Sequence, residues 1–103
     1  MDQAEALAKA TRFARLAREV VEADTVVLFG SYASGRAEEH SDVDVGLFVD
    51  RLDENRDYLE LLRDLYGIAD RVDVHIEPHL FVRCEDRTGF AAEVEKKGLR
   101  VAL

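Results

Sequence analysis

Four things are scarce in these 103 residues: cysteine, proline, positive charge and long apolar runs. The lone cysteine, Cys84, excludes an internal disulfide and suits a reducing cytoplasm. Pro78 is the one proline, and no stretch rich in Pro, Gly and Ser marks a linker. Residues 1–103 therefore read as a single domain with a modest core. Lys and Arg number 14 against 22 Asp and Glu, a formal net charge of −8. That balance argues against direct nucleic-acid binding, which needs clustered cations for the phosphates. It leaves open a nucleotide held through metal ions, because carboxylates are what bind those ions. No apolar run is long enough to cross a bilayer, and the N-terminus lacks the apolar region of a leader, so no membrane is expected.

What is present is the balance of a globular chain, 48% hydrophobic and 35% charged. Leu7, Ala10, Phe13, Ala17 and Val20 fall on one face of a helix over residues 3–22. The β-branched run 25–29 reads as a strand buried on both faces, and 43–49 as a second. Between them, one helical turn over Ser31–Ser34 stops at Gly35, and 36–41 is loop. Asp53 is placed to cap a helix whose apolar face is Tyr58, Leu61, Leu62, Leu65 and Ile68. Residues 71–76 alternate, with Val72, Val74 and Ile76 on one face and Asp73 and His75 on the other, a strand that Pro78 ends. Thr88 opens a last helix closed by Lys96-Lys97-Gly98, and 99–103 adds a short strand. The order predicts an α/β (α+β) fold, a small mixed β-sheet packed against helices with one face open for a site.

The chemistry concentrates in two places. Leu28-Phe29-Gly30-Ser31-Tyr32 ends an apolar run in Gly-Ser; after ten intervening residues Asp42-Val43-Asp44 opens the next. In a strand, residues two apart share a face, so Asp42 and Asp44 stand side by side and repel unless a cation lies between them. Gly30 lets backbone approach a ligand closely, and the turn starting at Ser31 points N–H groups, with the Ser31 hydroxyl, at an anion. If the strand carrying Asp73 lies beside 43–49, Asp73 joins Asp42 and Asp44 in a three-carboxylate centre suited to Mg²⁺ or Mn²⁺. Two such ions, roughly 3.5–4 Å apart, can bridge the attacking and leaving oxygens of phosphoryl chemistry.

Each signal alone has a plainer explanation: a solvated strand start for the Asp pair, a turn for Gly-Ser, an edge-strand face for Asp73. Elsewhere the plain explanation leads. Pro78 between His75 and His79 rules out a helical zinc pair. Cys84 has no neighbouring activator, and Lys9, Arg12, Arg15 and Arg18 form a solvated stripe or, less readily, a docking face. Tyr32 serves equally well as a base-stacking ring or as core.

Gly30-Ser31, Asp42-x-Asp44 and the later Asp73 together resemble the minimal nucleotidyltransferase (MNT) branch of the DNA polymerase beta superfamily, over most of the chain. The resemblance implies a nucleotidyltransferase fold, ATP as donor and two Mg²⁺ ions. By position, Asp42 and Asp44 hold both metals, Asp73 completes the site of the ion that activates the acceptor hydroxyl, and Gly30 and Ser31 hold the triphosphate. Relatives often carry Arg just before the glycine that follows Gly-Ser, whereas here Arg36 comes after Gly35, which puts its phosphate contact in question. The implied reaction is transfer of AMP from ATP to a hydroxyl with release of pyrophosphate. A chain this short has little left over to hold an acceptor, so a partner must present it. Small proteins resembling this one often pair with a HEPN ribonuclease toxin as its antitoxin, some by attaching AMP to a toxin tyrosine, so the resemblance implies such a partner and a hetero-oligomer. An antitoxin acting by contact alone and a catalytic subunit for antibiotic-type small molecules are the alternatives.

Overall fold

The computed structural model describes residues 1–103 as four α-helices and a four-stranded mixed sheet. The chain runs α1 (Gln3–Ala17), β1 (Thr25–Phe29), α2 (Ser31–Ser34), β2 (Val43–Val49), α3 (Tyr58–Val72), β3 (Ile76–Val82), a 3₁₀ turn (Arg83–Glu85), α4 (Phe90–Lys97) and β4 (Leu99–Arg100). The sheet order is β3-β2-β1-β4. β1 pairs antiparallel with both β2 and β4, whereas β2 and β3 are parallel. A parallel pair needs a long crossover, and α3 provides it.

β1, α2 and β2 fall where the sequence puts them. β1 is buried along both faces because helices cover both sides of the sheet. On one side α1 and α3 contribute Ala6, Ala10, Phe13, Leu61, Leu65 and Ile68 to the main core. Each large aliphatic or aromatic side chain buried there stabilises the fold by roughly 1.5–3 kcal/mol. On the other side Val27 and Phe48 pack against Ala91 and Val94 of α4, with Phe29 and Phe81 at the margin. Tyr32 belongs to the main core, so its ring is packing and not a base-stacking surface.

Four expectations need correction. α1 stops at Ala17, short of residue 22, and Val20 and Val21 continue as a turn whose N–H groups both donate to the Ala17 carbonyl. α3 is capped by Asp57, not Asp53; the Asp57 Oδ1 accepts from the Leu59 N–H at 2.9 Å. At the other end α3 runs through Val72, because its apolar period continues through Ile68, Ala69 and Val72, so 71–76 is not a strand and Val74 is exposed. The strand is Ile76–Val82, with Pro78 inside it. β3 is the sheet edge, where a residue without an N–H is tolerated. Its inward face is Ile76, Pro78, Leu80 and Val82.

α4 is opened by Asp86 more than by Thr88. The Asp86 carboxylate accepts from the N–H groups of Gly89, Ala91 and Ala92, while the Thr88 hydroxyl takes only that of Phe90, at 3.3 Å. A carboxylate over a helix N-terminus is favoured by the helix dipole as well as by the hydrogen bonds.

Candidate active site

The site grows from the β1–β2 register. Phe29 pairs with Asp44, so the residue after Phe29 turns directly beneath the Asp44 side chain. That residue is Gly30, with φ +73°, and a Cβ there would overlap the Asp44 carboxylate. Glycine is required twice over: by the positive φ and by the contact with Asp44. α2 then starts at Ser31 and ends at Gly35 in the left-handed region. The N–H groups at the start of such a turn have no partner within it, so they are free for an anion.

The loop that delivers Asp42 is closed on itself. The Glu38 N–H donates to Ser41 Oγ at 2.8 Å, and the Ser41 N–H donates back to the Glu38 carbonyl at 3.1 Å. Val43, which follows Asp42, is tied to the turn before β3 by its N–H on the His75 carbonyl at 2.8 Å. Asp42 is exposed and Asp44 half-buried at the open end of β2.

In the parallel β2–β3 ladder the residue across from Asp44 is Glu77. Glu77 and His79 point away from the core face of β3, toward the side that bears Asp44. Asp44, Glu77 and His79 each offer a ligand atom, and these atoms lie within 4.8 Å of one another. His79 Nε2 is 3.1 Å from Asp44 Oδ1, so its N–H donates to the carboxylate and orients it. Burial pushes the Glu77 carboxyl above the usual range; a hydrogen bond shared with Asp42 and the charges of Asp44 and Asp42 push it further, against the pull of His79. Burial, then the charges of Glu77, Asp42 and Asp44, also raises the Tyr66 phenol.

Asp73 lies elsewhere. It is the C-cap residue of α3, four positions before Glu77, and its carboxylate is already engaged. Lys9 of α1 donates to Oδ2, and the backbone N–H and ring Nδ1 of His75 both meet Oδ1 at 2.8 Å. The Lys9 hydrogen bond, then that of the His75 backbone, holds the Asp73 carboxyl far below the ordinary range. The carboxylate that joins Asp42 and Asp44 is Glu77, and Asp73 ties α1 to the end of α3. Lys9 thereby leaves the solvated stripe to which its helix position assigned it. Arg36 is exposed, and Cys84 is exposed on the 3₁₀ turn.

The donor set fits a divalent cation. Asp42, Asp44 and Glu77 are hard oxygen ligands gathered at one end of β2 and β3, and His79 orients Asp44 among them. Mg²⁺ accepts such a carboxylate cluster alongside phosphate oxygens. Gly30 and the start of α2 lie beside that cluster.

A carboxylate cluster on a mixed sheet, with a Gly-Ser turn against it, is the arrangement of a metal-dependent nucleotidyl-transfer domain. Residues 13–101 match the family described as Polymerase beta, Nucleotidyltransferase. The chain belongs to that family and is a nucleotidyltransferase. Among curated proteins it is 33% identical over 78 residues to one of Methanocaldococcus jannaschii named "Putative protein adenylyltransferase MJ0141", covering 76% of this chain and 78% of that one. No helix is long and apolar enough to cross a membrane.

Proposed function

We propose that the protein transfers AMP from Mg²⁺-bound ATP to a hydroxyl on another protein, a tyrosine of a HEPN ribonuclease toxin, and so acts as its antitoxin. The observation that carries the reading is the contact of Gly30 with Asp44, with Glu77 on the far side of the same carboxylate. A donor's phosphates can lie along Gly30 and Ser31 while the ions that neutralise them lie on Asp42, Asp44 and Glu77. When bound, two Mg²⁺ ions supply charge neutralisation on the phosphates and a lowered pKa for the acceptor hydroxyl.

The chain's own groups do the remaining work. Gly30 gives the phosphates a surface without a side chain, and the Ser31 hydroxyl adds a donor. His79 holds Asp44 in one orientation. Glu77, across the ladder from Asp44, stands where it can take the acceptor's proton as the new P–O bond forms and pyrophosphate leaves. Asp42 is exposed, so an acceptor can approach from solvent on a second protein. The name of the archaeal relative also supports a protein as acceptor.

Co-expression of the candidate toxin with wild type and with Asp42→Asn/Asp44→Asn, followed by intact-mass measurement of the toxin, tests the reading. An AMP-sized gain with wild type alone is expected. Full neutralisation by the double variant, with no gain in either case, would replace catalysis by inhibition through contact. Transfer of AMP to an aminoglycoside with no partner present would replace the protein acceptor by a small molecule.

A further inference from the structure

On the carboxylate side of the sheet, a cavity of about 430 Å³ lies between the end of β1 and α4. Its walls include Phe29, Gly30, Ala33, Phe90 and Lys97. Gly30 is common to this cavity and to the carboxylate centre, so the two are continuous. Phe29 stands at the join, its ring edge-on to His79 at 4.8 Å and to Phe90 at 6.4 Å. We propose that this cavity is the base subsite for the nucleoside triphosphate donor, with the base stacked on the Phe90 ring. The inference rests on the nucleotide-transfer reading above and deepens it.

Three features suit the cavity to a heteroaromatic ring. Its volume lies in the range of small-molecule sites, and its walls combine aromatic faces with few polar groups. Phe90 is 53% exposed at the first turn of α4, a large ring left half in water where a base can cover it. At the rim Lys97 donates to Glu93 at 2.6 Å, and this pair offers both donors and an acceptor to the edge of a base. The wall itself is firm. Asp86 caps the start of α4, and a Cβ on Gly98 at its end would come within 2.8 Å of the Val94 carbonyl and 3.0 Å of Val27, so only glycine lets the helix sit this close to β1.

Calorimetry with two probes, ATP and inorganic tripolyphosphate, each with Mg²⁺, separates the base from the phosphates. Phe90→Ala is expected to weaken ATP by about tenfold or more, the scale of one lost base–aromatic stack, and to leave tripolyphosphate unchanged. Phe90→Tyr should retain wild-type affinity. Phe90 also borders a second cavity, so Ala33→Leu, which narrows only the proposed one, provides an independent variant with the same expected pattern. If both folded variants bind ATP as wild type does, or lose tripolyphosphate equally, the base subsite is wrong. If wild type binds tripolyphosphate but gains nothing from the nucleoside, the subsite fails while the phosphate site stands. If wild type binds neither, the donor reading fails and takes the subsite with it.

Discussion

Asp44 and Glu77 are register partners in the parallel ladder of β2 and β3, two carboxylates opposed across neighbouring strands, and Asp42 adds to the rise of the Glu77 carboxyl. Without a cation this placement opposes folding, since like charges at register positions repel. Glu77→Gln removes one of those charges while keeping shape and hydrogen bonding. The metal-free variant should be more stable by about 1 kcal/mol, which raises Tm by roughly 4–8 °C in a domain of this size. Wild type should be further stabilised by added Mg²⁺, and Glu77→Gln should not. Melting curves with EDTA and with Mg²⁺ check both halves; a variant less stable than wild type in EDTA would mean that Glu77 is structural.

Gly30 and Gly35 share a positive φ, +73° and +78°, but not an environment. A Cβ on Gly30 meets the Asp44 carboxylate, whereas one on Gly35 meets nothing within 4 Å. Gly35→Ala should therefore show the conformational penalty alone, about 1–2 kcal/mol, with Mg²⁺-dependent ATP binding within about twofold of wild type. Gly30→Ala should lose the same stability and also displace Asp44, weakening ATP binding by about tenfold or more, the equivalent of 1.4 kcal/mol. Denaturant unfolding and calorimetry on the two variants separate backbone strain from damage to the site.

The strands that carry Gly30, Asp42 and Asp44 were legible in the sequence because they are short and unambiguous. The runs 25–29 and 43–49 are too short for buried helices and are bounded by Gly30 and by Asp42. The third carboxylate was misplaced by four residues because two periods overlap around residue 72. Val72 and Ile76 fit an alternating strand, yet Val72 also continues the helical face of Leu65, Ile68 and Ala69, and packing of α3 on the core decides for the helix. Counting Pro78 as an apolar edge-strand residue exposes the true alternation, Ile76-Pro78-Leu80-Val82 against Glu77-His79-Phe81. That pattern was available in the sequence. The Asp73–Lys9 tie was not, since it joins residues 64 apart and depends on how α1 lies across α3.

That tie predicts an acid response. The Asp73 carboxyl is held below its ordinary value by Lys9 and His75, so the unfolded chain takes up its proton first. Its stabilising contribution is complete above the ordinary carboxylate value of about 3.9 and is lost as pH falls from there toward the lowered folded value. Asp73→Asn should destabilise the protein by about 1–3 kcal/mol at neutral pH. Wild type should lose stability more steeply than Asp73→Asn as pH falls below about 4, and the two curves should converge at the acid end. Parallel curves would show that Asp73 contributes by shape and not by charge.

Arg83 fixes the wall on which the base is proposed to stack. Its guanidinium donates to Asp24 at 2.8 and 2.9 Å, to Asp50 at 3.0 Å, and to Glu95 of α4 at 2.8 and 2.9 Å, and it lies 5.5 Å from the centroid of the Phe48 ring. The Asp24 and Glu95 hydrogen bonds raise the already high Arg83 pKa, so the charge persists at any working pH. The fork joins the start of β1, the end of β2 and the middle of α4. Arg83→Met keeps the apolar stem but leaves Asp24, Asp50 and Glu95 unpaired, which should lower stability by about 2 kcal/mol, the scale of a charged hydrogen bond. Arg83→Lys should recover little of it, because an ammonium cannot serve three carboxylates in one plane. α4 should show faster amide exchange in Arg83→Met, while the β2–β3 ladder keeps its protection. ATP binding should weaken and Mg²⁺ stabilisation persist, because the carboxylates stand on β2 and β3 and do not depend on where α4 lies.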